Sequence, residues 1–198
     1  KEIVMNEKQI LSVYELKNRY DPDPPHSEQV TRLALKLFDL LRDLHKLDDR
    51  ERNLLHAAAL LHDIGYAMGD GKQHHINSTK LILQNKLSGF SENEIKKIAY
   101  TACLHRRRST PEECLAFNGL EEEDKNIVLK LASLLRLADG MDRTHRSSVK
   151  DVECRINEEV VIFYLKSDFS LDQELQATIR KSTLFKEIFS RDAIFLQK

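Results

Sequence analysis

NLLHAAALLHDIG, from Asn53 to Gly65, is the stretch on which the reading of the whole chain turns. Its run of alanine and leucine predicts a buried helix that ends at His62-Asp63, with Gly65 stopping it. An imidazole and a carboxylate then stand side by side where the helix leaves the core. Burying both is costly unless something binds them. A divalent metal satisfies both side chains, since imidazole and carboxylate are common ligands for Zn, Mn and Fe. Asp48 and Glu51 make a capping box, which sets the helix at 49–64. His56, two turns before His62, takes a packing or surface role, because nothing beside it suggests chemistry.

Toward the N-terminus, residues 6–20 read as a helix capped by Asn6, and Asp21-Pro22-Asp23-Pro24-Pro25 breaks it. A long helix is predicted over 25–46. His26, Val30, Leu33, Leu37, Leu41 and Leu44 recur at spacings of three and four, so His26 lies on the buried face at the first turn. It is either a ligand or a first-turn histidine bonded to a neighbour.

Toward the C-terminus, a loop from Gly65 to Gln73 carries Lys72 and leads into His74-His75. Asn77 or Ser78 caps a helix over 78–87. The paired histidines are a solvated loop, or they place one ring at a metal while the helix N-terminus favours an anion nearby. Ser91 and Glu94 form a second capping box, opening a helix over 92–105 whose buried face runs on to His105. Arg106-Arg107-Arg108 then either caps the helix C-terminus in solvent or holds phosphate oxygens. The most regular helix is 124–139, with Ile127, Leu131, Leu134, Leu135 and Ala138 on one face. Asp139 falls one turn after Leu135 and points inward, and Gly140 ends the helix. Asp142, Arg143, His145 and Arg146 follow as a polar cluster. Beyond Ser148, residues 149–156 and 160–165 read as a hairpin turning at Asn157-Glu158-Glu159. Helical turns at 170–180 and 184–189 and a short strand at Ala193–Leu196 complete the chain. The fold class is mainly α: a helical domain over 1–147 with a small α/β appendage, 148–198, packed on it.

Composition is that of an ordinary globular chain of one domain, with or without an appendage: 198 residues, 41% hydrophobic and 32% charged. A net charge of -1 points to neither nucleic acid nor a membrane surface. No apolar run approaches the ~20 residues of a transmembrane helix. No signal peptide is recognised, and a start at Lys1 reads as a trimmed chain or a fragment. Cys103, Cys114 and Cys154 are an odd, widely spaced set. They read as reduced thiols of a cytoplasmic protein.

Five helices thus carry polar groups to their inner ends: His26, His62 with Asp63, His74 or His75, His105 and Asp139. The order His, His-Asp, His, His, Asp resembles the HD-domain superfamily of metal-dependent phosphohydrolases. HAAALLHDIGYAMG, HHINSTKLIL, the LHR at 104–106 and LLRLADGMDRTHR are similar to the C-terminal region of the exopolyphosphatase/guanosine pentaphosphatase (Ppx/GppA) family. The VKDV hairpin and the STLFKEIF segment extend that similarity to the tail. The resemblance implies an HD-type helical bundle holding one divalent ion on His26, His62, Asp63 and Asp139. It implies a second ion on His105 and one of His74 and His75, with Asp63 bridging; Mn, Fe, Zn, Mg, Co and Ni all suit such ligands. The metal activates a water that attacks a phosphate ester or phosphoanhydride, as in a nucleotide or polyphosphate. Tyr66 stands where signalling members often carry a lysine, so a basic role falls to Lys72 or to an arginine among Arg106, Arg107, Arg143 and Arg146. The glycine-rich phosphate loop of the family's actin-like N-terminal domain is absent from this sequence. The alternative is therefore a non-catalytic module that binds polyphosphate or guanosine phosphates, or serves homodimerisation.

Overall fold

A computed structural model describes residues 4–69, 71–106, 114 and 119–198. Helix α1 (Glu7–Tyr20) opens at a capping box between Asn6 and Gln9. After the proline-rich break, Pro24 and Pro25 begin α2 (Pro24–Leu40), their fixed φ suiting a first turn that needs no N–H. The single helix predicted over 25–46 is in fact two. Leu41, at φ -108° and ψ 16°, leaves helical geometry and starts the short α3 (Arg42–His45). Helix α4 (Asp49–Leu61) opens at the Asp48–Glu51 box. It ends three residues earlier than predicted, and a 3-10 turn over Ile64–Ala67 carries the chain on from Asp63.

Helix α5 (His74–Gln84) begins four residues before the position predicted from Asn77 and Ser78. Neither residue caps it. Ser78 lies inside the helix and donates its hydroxyl to the His62 carbonyl at 2.7 Å while accepting from the Gly65 N–H at 2.8 Å. Helix α6 (Glu92–Cys103) has the Ser91–Glu94 box and stops before His105. Helix α7 (Glu122–Met141) runs through Gly140 instead of ending there. That glycine is needed for close approach: a Cβ would lie 2.8 Å from the Thr178 Cα.

The tail forms β1 (Asp151–Ile156), β2 (Val160–Lys166), α8 (Asp172–Lys181), α9 (Thr183–Phe189) and β3 (Asp192–Gln197). Strand β2 is central, antiparallel to β1 and parallel to β3. The parallel pair needs a crossover, which α8 and α9 supply. Val161, Phe163 and Leu165 alternate inward along β2, as its period of two requires. The fold is mainly α with a small C-terminal α/β portion, as the periodicities predict. One apolar cluster runs from Leu33, Leu37, Leu55 and Leu134 to Val152 and Phe163, so helices and sheet share a core. No helix among the described residues is long and apolar enough to cross a membrane.

The cysteine expectation is corrected. Cys103 and Cys114 form a disulfide with Cα atoms 6.0 Å apart, and Cys154 alone is free. The two lie eleven positions apart in sequence, and both enter a small cluster with Tyr100, Leu104, Leu120 and Val128. Spacing alone carries no sign of that pairing.

Candidate metal centre

The proline-rich break sets His26 on the first turn of α2, where Asp23 caps its backbone N–H at 3.3 Å. Its ring Nδ1 lies 2.8 Å from Asp142 Oδ2. Asp142 is fully buried, and its other oxygen accepts the Ser147 N–H at 2.8 Å. An ionised carboxylate only accepts, so Nδ1 carries the proton and Nε2 keeps its lone pair. The same reasoning applies to three more rings. His62 Nδ1 lies 2.7 Å from the Ala59 carbonyl, His105 Nδ1 2.6 Å from that of Ala102, and His74 Nδ1 2.8 Å from that of Gly71. Each of these backbone carbonyls accepts a hydrogen bond from Nδ1–H, which turns Nε2 toward the centre.

All four Nε2 atoms converge on carboxylate oxygens. Asp63 Oδ2 lies 3.8 Å from His26 Nε2 and 3.4 Å from His62 Nε2. Asp139 Oδ1 lies 3.7 Å from His26 Nε2. The other oxygen of Asp63, Oδ1, lies 3.6 Å from His74 Nε2 and 3.4 Å from His105 Nε2, and these two nitrogens are 3.2 Å apart. Asp63 thus presents each oxygen to a different set of rings. Lone pairs facing lone pairs in a buried site repel unless a cation lies between them. Two groups, His26 with His62 and Asp139, and His62 with Asp63 and His105, each bring their ligand atoms within 4.8 Å of one another. His62 Nε2 and Asp63 Oδ1 are buried without a hydrogen-bond partner. Orphaned polar atoms of this kind cost about 1–3 kcal/mol each, and a divalent ion coordinated by imidazole and carboxylate removes that cost. The donor set therefore fits a metal.

Electrostatics shows a strongly acidic centre, in which a proton on His62 Nε2 and a cation compete for the same lone pair. Burial acts to depress the His62 imidazole, but adjacent Asp63 overrides it and holds the ring at about 9. Burial opposes the charge on Asp63 and Asp139 too. Nearby His62 for Asp63, and Lys181 for Asp139, nevertheless hold both carboxyls well below the usual carboxylate range. Burial drives His74 below its ordinary value and His105 well below it. The centre combines strongly acidic carboxylates with two rings that favour the neutral, ligating form.

A cavity of roughly 460 Å³ opens above these atoms, lined by His26, Asp63, His74, His105 and Asp139 with the cations Arg106, Arg143 and Lys181. Of the paired histidines, His74 faces Asp63. His75 is buried beside it with ring centroids 5.6 Å apart, and is not in the lining. Tyr66 stacks on His74, with ring centroids 4.1 Å apart. Lys72 is exposed and outside the lining; its carbonyl accepts from Arg106 Nη1 at 2.7 Å, which joins the two loops. Arg146 also lies outside the cavity, and Arg107 falls outside the described residues.

The sequence reading gives Asp142 and His145 only as members of a polar cluster and misses Arg136 and Lys181 altogether. Asp142, at the C-cap of α7, lies three residues after Asp139, and that spacing is the signal that could have assigned it a role. His145 stacks on His26 at 3.8 Å and lies 2.7 Å from Asp23 Oδ2 through Nδ1. Arg136, buried, donates Nε–H to the Leu104 carbonyl at 2.6 Å and so fixes the turn that carries His105. Burial pushes that guanidinium down to about 10. Lys181 pairs with Asp139 Oδ2 from α8, and no local signal marks it. Residues 9–182 match the family model described as Ppx/GppA phosphatase, domain III.

Proposed function

The chain belongs to the Ppx/GppA phosphatase family through its domain III, and on that premise we propose that it is an HD-type, metal-dependent phosphohydrolase acting on a phosphate ester or phosphoanhydride. The observation that carries this is the split use of Asp63, whose two oxygens face two sets of histidine Nε2 atoms. His26, His62, Asp63 and Asp139 would hold one divalent ion, and Asp63, His74 and His105 a second. Mn, Fe, Zn, Mg, Co and Ni all suit nitrogen and oxygen donors of this kind. When bound, such ions supply an acidified water and polarise a phosphoryl oxygen.

The chain's own residues do the rest. Asp142 keeps the His26 proton on Nδ1, and backbone carbonyls do so for His62, His74 and His105, so four ligands stand ready without rearrangement. Arg106 and Arg143, at the cavity, offer planar forks to the oxygens of a nucleotide or polyphosphate. Stacked Tyr66 and His145 wall the cavity beside His74 and His26.

Elemental analysis of the purified chain, followed by turnover of a generic phosphate substrate with added Mn²⁺, tests this. The expected result is about one or two ions per chain and turnover abolished by a chelator, with Asp63→Ala losing metal and turnover together. Full turnover in Asp63→Ala would end the proposal. A metal-free chain that binds polyphosphate without hydrolysing it would make the protein a binding module instead.

A further inference from the structure

Lys181 ends α8, in the C-terminal α/β portion, and reaches across to a centre otherwise built by the helical part. It is the one residue from beyond Ser148 in the lining of the cavity. Its Nζ pairs with Asp139 Oδ2, while Asp139 Oδ1 faces His26 Nε2 at 3.7 Å. The carboxylate is therefore divided, with one oxygen turned to the ligand cluster and the other to the lysine.

We propose that Lys181 is an anchor for a phosphoryl oxygen at this centre, so that ligand is bound across the helical and α/β portions together; this rests on the phosphate-handling reading above. Three observations lead there. The side chain is 20% exposed, and Lys181 is among the residues that line the cavity. An ammonium has three N–H donors, and Asp139 is its one ion-pair partner among the described residues. Donors are left for an anion. Finally, Lys181 is held in place by close packing. Gly140, next to Asp139, lets the Thr178 backbone approach to where a Cβ would be 2.8 Å away, and Thr178 lies one helical turn before Lys181. The packing of α8 on α7 thus sets where Lys181 leaves its helix relative to Asp139.

The test titrates inorganic phosphate into the full chain loaded with Mn²⁺, by calorimetry, for the wild type, Lys181→Gln and Lys181→Arg. Metal content is measured on the same samples. Lys181→Gln is expected to weaken phosphate binding about 10- to 100-fold, the range of a charge-assisted hydrogen bond, with metal content unchanged. Lys181→Arg keeps the charge and is expected to stay within a few-fold of the wild type. Phosphate affinity in Lys181→Gln equal to the wild type would overturn the proposal. So would a joint loss of phosphate and metal binding, which would make the lysine a support for Asp139 only, or a wild type that binds no phosphate. Wild-type phosphate binding without turnover of any phosphate ester would remove the hydrolase reading alone and leave the role of Lys181 standing.

Discussion

Replacing Gly65 by alanine probes how tightly the centre is built. Gly65 follows Asp63 by two residues and has no left-handed φ, so its lack of a side chain matters for approach and not for backbone conformation. A Cβ there would sit 2.0 Å from the His74 carbonyl oxygen and 2.3 Å from the Ser78 nitrogen. Ordinary contact begins at 3.4 Å, so the first turns of α5 must retreat by 3.4 − 2.0 = 1.4 Å. Both partners are backbone, and neither can swing aside. Overpacking of this kind costs about 1–3 kcal/mol. The retreat also breaks the Ser78 hydroxyl bridge between the Gly65 N–H and the His62 carbonyl, at about 1 kcal/mol for each bond lost. A total of roughly 3–5 kcal/mol corresponds to about 6–20 °C in a chain of this size. His74 would move with the helix, and metal ligands tolerate only about 0.2 Å. Thermal denaturation and elemental analysis of Gly65→Ala should therefore show a lower melting temperature and loss of the ion proposed at His74 and His105. A melting temperature within about 2 °C of wild type would refute the argument that α5 and the His62-Asp63 turn are in rigid contact.

Gly140→Ala should push α8 from α7 and separate Lys181 from Asp139, costing about 1–3 kcal/mol; urea unfolding that matches wild type would contradict the packing at Thr178. Burial, reinforced by Arg52 and opposed by Glu28, depresses the His56 imidazole to about 4. The unfolded chain takes that proton near pH 6.5, so this stability is complete above pH 6.5 and is lost as pH falls toward 4, roughly 2 kcal/mol of it by pH 5. Urea unfolding at pH 7 and pH 5 checks this, since His56→Gln should lose about that much less across the interval. Cys114→Ser should cost about 2–3 kcal/mol by releasing a short loop, and thiol titration of the unfolded, unreduced wild type should count one thiol, from Cys154. Three thiols before reduction would show the pair to be open.

Much of the framework was legible because the interactions that set it are local. The Asn6, Asp48 and Ser91 caps bind within three residues, and each helix opens where those caps place it. Apolar spacing put His26, His105 and Asp139 on inward faces, the alanine- and leucine-rich run put His62 at a buried helix end, and the structure gathers them with Asp63. The choice between His74 and His75 could not be read in the same way. Successive helical residues point about 100° apart, so the choice depends on where α5 begins. That start has no side-chain cap and lies against Gly65, a residue nine positions earlier. Asp142, Lys181 and the Cys103–Cys114 bond belong with His74. Each is fixed by a partner on another element or at the far end of a loop: His26 across 116 residues, Asp139 across 42, and the paired cysteine across 11. Which side chains turn inward can be read along the chain, because helical periodicity is a property of neighbouring residues. Which of them meet depends on the folded arrangement, because contacts between distant elements follow from how closely their backbones approach.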